Sequence, residues 1–141
     1  MKLKIYTDGG ARNNPGPAAI GVVIKNEKNQ ILKKISKYLG VTTNNQAEYY
    51  AVIGALKVAL GFKAEVINIY LDSQLVVEQL NRKFRIKDKD LAPLFVQVWN
   101  LTLKFKKITF NYIPREQNKE ADLLVNQCLN KIQKYYSFVN I

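Results

Sequence analysis

The sequence predicts an α/β domain built on one five-stranded mixed sheet with helices flanking it. Three observations carry this reading. The first forty residues form three β-type runs joined by short turn segments, the pattern of an antiparallel meander. From Thr42 the apolar period changes from two to about 3.6, and helical and strand-like segments then alternate along the chain. A strand-helix-strand unit crosses over right-handedly to a parallel neighbour, so strand four is expected parallel beside strand one, with strand five on the same parallel side. With 141 residues and 48% hydrophobic content, a single domain spanning 1–141 is expected, its core over about 1–130 and a tail over about 131–141.

Strand one covers residues 3–7, delivers Asp8 and breaks at Gly9-Gly10. Asp-Gly is more commonly ordinary hairpin chemistry, so this stretch by itself reads as a turn, and an acid held for chemistry gains ground only if other carboxylates reach the same edge. Residues 9–17 are dense in turn formers and lead into a second strand at 18–25; a turn at 26–29 and a third strand at 30–39 follow. The first long helix carries Ala47, Tyr50, Ala51, Gly54, Ala55, Val58 and Ala59 on one face, with Thr43 as its cap and Gly61 as the left-handed residue that ends it. Small residues on that face suit close packing on a sheet. Strand four, 66–71, runs into Asp72-Ser73 and a short helix with Leu75, Val76 and Leu80. After a basic connector at 81–90, Leu91, Leu94, Phe95, Val98 and Leu101 mark the next helix, with Pro93 in its first turn. Strand five spans 107–113, residues 114–118 form a loop, and the last helix carries Ala121, Leu124, Val125, Cys128 and Ile132. The apolar stretch 135–139 is expected to pack against the body.

Composition narrows the chemistry. Lys and Arg number 22 against 11 acidic residues, a net charge of +11 that points to a polyanion such as nucleic acid, with a merely solvated basic surface as the alternative. There is no histidine, which removes Ser-His-Asp and Cys-His triads and histidine-type zinc sites together. The single cysteine, Cys128, excludes an intramolecular disulfide and fits a reducing compartment, the cytoplasm; no apolar run is long enough to span a membrane.

Any catalysis must then rest on carboxylates, lysines or metals, and the carboxylates fall into a pattern. Asp72 repeats the strand-end position of Asp8 one parallel strand away, at the edge where open α/β sheets bind their ligands. Glu48 and Asp122 lie near helix starts that can aim at the same edge, although Asn45 with Glu48 also fits a capping box, and Glu120 with Asp122 suits a helix dipole. Two like charges about 4 Å apart repel by roughly 4 kcal/mol at an effective dielectric near 20, so four converging acids call for cations. An all-oxygen site suits Mg²⁺ or Mn²⁺, and two such ions about 3.5 to 4 Å apart can drive phosphodiester hydrolysis.

Five blocks in order, Tyr6-Thr7-Asp8-Gly9-Gly10, Asn14-Pro15-Gly16-Pro17-Ala18, Thr43-Asn44-Asn45-Gln46-Ala47-Glu48, Leu71-Asp72-Ser73 and Pro114 through Asp122, resemble type 1 ribonuclease H over essentially residues 1–130. The resemblance implies a ribonuclease H-like fold and an endonuclease that cuts the RNA strand of RNA/DNA hybrids, leaving 5′-phosphate and 3′-hydroxyl ends. It implies Asp8, Glu48, Asp72 and Asp122 as the metal-binding catalytic acids, holding two Mg²⁺ or Mn²⁺ ions. Sensing 2′-hydroxyls across a wide, shallow minor groove needs short neutral donors and backbone groups, for which Asn14, Asn44, Asn45 and Gln74 are candidates beside Gly10, while Arg12 is a candidate for phosphate contact. Turn chemistry, helix capping and plain surface exposure remain open for the same residues. Lys83, Arg85 and Lys87 are candidates for sequence-independent phosphate contact.

The chain departs from better-known members of that family in three places. Residues 81–90 look too short for the basic helix and loop with which some members grip hybrid, and with Met1 almost at the first strand no upstream hybrid-binding module is expected. A histidine that many members carry in the loop before the last aspartate is missing; Arg115 or Glu116 stands there, and Arg115 is expected to assist at the scissile phosphate or in product release. A monomer is expected. The alternatives are a related nuclease that also cuts double-stranded RNA and a catalytically inactive nucleic-acid-binding domain.

Overall fold

The computed structural model describes residues 1–139. Its sheet has the strand order β3-β2-β1-β4-β5. Strands β1 (Lys2–Ala11), β2 (Gly16–Lys25) and β3 (Ile31–Thr42) form the antiparallel meander. Strand β4 (Val66–Leu71) pairs parallel with β1, and β5 (Lys107–Tyr112) parallel with β4, as the sequence predicts. The helices are α1 (Asn44–Gly61), α2 (Gln74–Leu80), α3 (Ala92–Thr102) and α4 (Lys119–Val139), with a single 3₁₀ turn at Arg115–Gln117. No helix among the described residues is long and apolar enough to cross a membrane.

Two glycines show how the layers are arranged. A Cβ on Gly9 would run into the backbone of α1 at Ala47 and Glu48, whereas a Cβ on Gly21 would run into the backbone of α4 at Ala121. Helix α1 therefore lies on one face of the sheet and α4 on the other. The main core fills the α1 side, where Leu3, Ile5, Ile67, Ile69 and Leu71 of the central strands meet Val52, Ala55, Leu56 and Ala59, with Leu94 and Val98 of α3 closing it from outside. Each such fully buried aliphatic side chain contributes about 1.5–3 kcal/mol relative to exposure. A smaller cluster of Ala19, Val125 and Leu129, with Cys128 and Tyr38 beside it, seats α4.

Several local expectations change. Strand β1 does not break at Gly9: it runs to Ala11, pairing Gly9 with Ile20, Gly10 with Ala19 and Ala11 with Ala18. The turn lies at residues 12–15, where Asn13 takes a positive φ of 66°. The hairpin consequently extends well past Asp8, and the glycine at position 9 is there for the close approach of a helix. Helix α1 ends with Phe62 as its C-cap, and the left-handed residue is Lys63 rather than Gly61. Tyr50 and Leu75, expected inward, are exposed. Because α1 is packed between the sheet and α3, its buried set widens to include Tyr49, Val52, Ile53 and Leu56, which a one-face reading omits. The apolar tail does not fold back. Helix α4 continues through it to Val139, leaving Tyr135, Tyr136, Phe138 and Val139 exposed, since its last buried side chain is Leu129. Residues 140–141, the end of the expected tail, lie outside the described residues.

Candidate active site

The parallel register of β1 and β4 runs from Lys2 opposite Val66 to Tyr6 opposite Tyr70. Two residues further along stand Asp8, inside β1, and Asp72, just past the end of β4. The two tyrosines stack with ring centroids 5.1 Å apart, and Lys25 lies over the Tyr6 ring while its Nζ pairs with Glu120 at 2.7 Å. The segments that lead to the two acids thus rest on a packed aromatic pair.

Glu48 reaches the same point from α1. The capping box at this helix start is built by Thr43 and Gln46: the Thr43 hydroxyl accepts from the Gln46 N–H at 3.1 Å, and the Gln46 side chain accepts from the Thr43 N–H at 3.2 Å. The alternative pairing of Asn45 with Glu48 is not the one formed, so Glu48 is left free of capping. It lies one turn further in than expected and is 6% exposed, with its carboxylate accepting from the Gly9 N–H. The absence of a Cβ on Gly9 allows that approach.

Asp8, Glu48 and Asp72 each offer a carboxylate oxygen within 4.8 Å of the others. Asp8 is pushed up from 3.8 to about 7, first by burial and then by the charges of Asp72 and Asp122. Glu48 is raised well above its ordinary value by burial, then by Asp8 and Asp72. Burial also raises Asp72, against a hydrogen bond from Asn118 and the Arg115 charge, which lower it. These are the signs expected of buried like charges with no counter-ion. A hard divalent cation with oxygen ligands fits such a donor set, and the lack of any nitrogen or sulfur ligand in it favours Mg²⁺ or Mn²⁺ over zinc.

Asp122 lies outside that tight trio. It sits in the first turn of α4, its charge raises Asp8, and its Oδ1 is 3.8 Å from the Arg115 Nη2. Arg115, on the 3₁₀ turn, has a side chain 79% exposed and borders the acids from the solvent side.

The expected substrate contacts divide into two groups. Asn14 and Asn44 interlock, since the Asn14 Oδ1 accepts from the Asn44 N–H at 3.0 Å and the Asn44 Oδ1 accepts from the Ala11 N–H at 2.7 Å. Both are exposed, and among the described residues neither side-chain NH₂ has a hydrogen-bond partner in the chain. Asn45 is half-buried behind them, and Gly10 sits half-exposed on β1 facing Val125. Arg12 is engaged internally, its guanidinium donating to Gln133 Oε1 at 2.9 Å and Asn130 Oδ1 at 2.6 Å, so it fastens the hairpin to α4. Gln74 opens α2 at the surface. Lys83 approaches Glu78 at 4.0 Å, and Arg85 and Lys87 are exposed on the connector. Sequence reasoning misses Asn118, which is buried beside Asp72; the available signal is an asparagine directly before a helix start, four residues ahead of Asp122.

Comparison with known proteins completes the description. A family described as reverse transcriptase-like matches residues 6–128. A bifunctional protein of Mycobacterium tuberculosis is 37% identical over 131 residues, 92% of this chain and 36% of that protein. Ribonuclease HI of Halobacterium salinarum is 38% identical over 129 residues, 92% of this chain and 65% of that protein. The chain therefore spans less than two thirds of the length of these curated relatives. The crystal structure of the halobacterial ribonuclease H1 aligns with a TM-score of 0.91 at 37% identity, covering 93% of this chain and 99% of that one. A compost-derived ribonuclease H1, LC11, solved in complex with an RNA/DNA hybrid, aligns with a TM-score of 0.89 at 40% identity, covering 93% and 99%.

Proposed function

The chain belongs to the reverse transcriptase-like family and within it to the type 1 ribonucleases H, and from that premise we propose that it is an endoribonuclease hydrolysing the RNA strand of RNA/DNA hybrids, with 5′-phosphate and 3′-hydroxyl products. The observation that carries this reading is the buried trio Asp8, Glu48 and Asp72, whose carboxylate oxygens gather within 4.8 Å. Two Mg²⁺ or Mn²⁺ ions bound there would offset the carboxylate charge, acidify an attacking water and stabilise the leaving 3′ oxygen. Asp8, which feels Glu48, Asp72 and Asp122 together, would be the acid shared by both ions, with Glu48, Asp72 and Asp122 as the remaining carboxylates that would hold them.

The remaining roles follow from what each side chain has free. The uncommitted NH₂ groups of Asn14 and Asn44 would donate to 2′-hydroxyls, the feature that separates RNA from DNA in a minor groove, a role supported by their exposure and free donors. Asn45, Gly10 and Gln74 are assigned to the same substrate surface. Arg115, solvent-facing and 3.8 Å from Asp122, meets the scissile phosphate or escorts the 5′-phosphate out. Arg12 supports substrate binding by holding the hairpin against α4, while Lys83, Arg85 and Lys87 contribute sequence-independent phosphate attraction. The enzyme acts as a monomer in the cytoplasm.

Matched hybrid, RNA duplex and DNA duplex incubated with Mg²⁺ or Mn²⁺ test this directly, with Asp8→Asn alongside. Hybrid cleavage that disappears in excess chelator and in the variant is expected. Hybrid cleavage that survives chelation refutes the metal mechanism, and no cleavage of hybrid with either metal refutes the enzyme. Cutting of RNA duplex as well would extend the substrate range.

A further inference from the structure

The acids of this site come from four separate parts of the chain, and one buried residue, through its side chain and its main chain together, touches the surroundings of three of them, Asp8, Asp72 and Asp122. Asn118, 1% exposed, lies directly before α4. Its Nδ2 donates to the carbonyl of Thr7, the residue preceding Asp8, at 2.8 Å. Its main-chain carbonyl accepts from the N–H of Asp122 at 3.1 Å. Its side chain also lies close enough to Asp72 to hold that carboxyl down against the effect of burial, and a carboxamide nitrogen carries two N–H groups, so a second remains available beside the one given to Thr7.

An ordinary helix cap would explain an asparagine at this position, and the hydrogen bonding argues against that explanation. A capping asparagine uses its Oδ1 to accept from a first-turn N–H. Here the Oδ1 has no partner among the described residues, and the Asp122 N–H is taken by the main-chain carbonyl, which any residue supplies. The side chain is turned to the strands. Its orientation is set by the acceptors: an Oδ1 pointed at the Thr7 carbonyl and the Asp72 carboxylate would be repelled by both. Burying a carboxamide with one acceptor unpaired is unfavourable, which makes the position a poor choice for stability alone.

We propose that Asn118 is a positioning residue whose side chain ties the strand carrying Asp8 to the start of α4, which carries Asp122, and lies against Asp72, so that divalent cations find their ligands already arranged. Partners behind metal ligands generally alter metal affinity or activity by 10- to 100-fold when removed. The proposal rests on the ribonuclease reading, and its test separates the two. Mn²⁺ binding without substrate is measured by calorimetry for the wild type, Asn118→Ala and the control Val98→Ala, a core truncation in α3 remote from the acids. Steady-state cleavage of a hybrid is measured for the same three, each at the same interval below its own Tm.

The expected result is Mn²⁺ affinity reduced about tenfold or more in Asn118→Ala, with kcat lowered and KM for hybrid changed little, while Val98→Ala keeps wild-type values. Wild-type Mn²⁺ affinity and kcat in Asn118→Ala would overturn the positioning role, and so would equal losses in Val98→Ala. If Asn118→Ala does not fold, Asn118→Leu, similar in volume and without a donor, carries the same expectation and the same refutation. A wild-type protein that neither binds Mn²⁺ nor cuts hybrid would overturn the ribonuclease reading as well.

Discussion

Replacing Asp8 by asparagine keeps the shape of the side chain and removes its charge, and the structure predicts that this stabilises the metal-free protein. Asp8 is 8% exposed, and its pKa is pushed up from 3.8 to about 7 by burial and by the neighbouring Asp72 and Asp122. In the unfolded chain the proton leaves near pH 4; in the folded chain it stays until about pH 7. Between those values the folded state binds more protons, so stability falls as pH rises. The rise spans about 3 pH units at about 1.4 kcal/mol each, giving a cost of about 4 kcal/mol that is complete above pH 7. In excess chelator at pH 8, Asp8→Asn should therefore be more stable than the wild type by up to about 4 kcal/mol, a Tm increase on the order of 10 °C. At pH 4 the two should melt together. Adding Mn²⁺ should raise the wild-type Tm and close the gap, because the ion supplies the missing counter-charge. Thermal melts from pH 4 to 8, with chelator and with Mn²⁺, read all of this. A variant that melts with the wild type at pH 8 in chelator, or whose advantage is as large at pH 4, would refute the electrostatic account of the site.

Other substitutions test the remaining parts of the arrangement. Gly9→Ala places a Cβ against the backbone of Ala47 and Glu48, so urea denaturation should show a loss of about 3 kcal/mol; an unchanged midpoint contradicts the close contact of β1 and α1. Arg115→Ala removes the exposed guanidinium beside Asp122 and should lower kcat on hybrid by about tenfold, the scale of one charge-assisted hydrogen bond. Unchanged turnover and hybrid affinity would end its assignment. Asn44→Ala deletes a free NH₂ and also frees the Ala11 N–H it holds, so KM for hybrid should rise by roughly tenfold; equal KM values for variant and wild type would remove Asn44 from the substrate surface.

The fold class and the four acids are legible in the chain because they depend on short-range pattern. Alternation, turn residues and the change of period at Thr42 mark the elements, and the right-handed crossover then sets β4 beside β1, which brings Asp8 and Asp72 together although β1 itself runs on to Ala11. Glu48 and Asp122 are readable as acids near helix starts, while the residues behind them are less so. Thr43 is readable as the cap, but the Asn45-Glu48 spacing also fits a capping box, and only the point where the chain enters α1 excludes that pairing and releases Glu48 to the site.

What the sequence by itself determined is the set of four acids and their convergence. Which partners hold those acids was decided by the tertiary structure. The reach of β1 to Ala11, the reason position 9 is glycine, the exposure of the α4 end and the role of Asn118 all depend on contacts between residues far apart in the chain. The Gly9 N–H meets a carboxylate 39 residues away, and Asn118 donates to a carbonyl 111 residues away. Local pattern reports which face a residue prefers, through burial and period. It carries no information about which backbone arrives on that face, because that is fixed only when the helices dock on the two sides of the sheet.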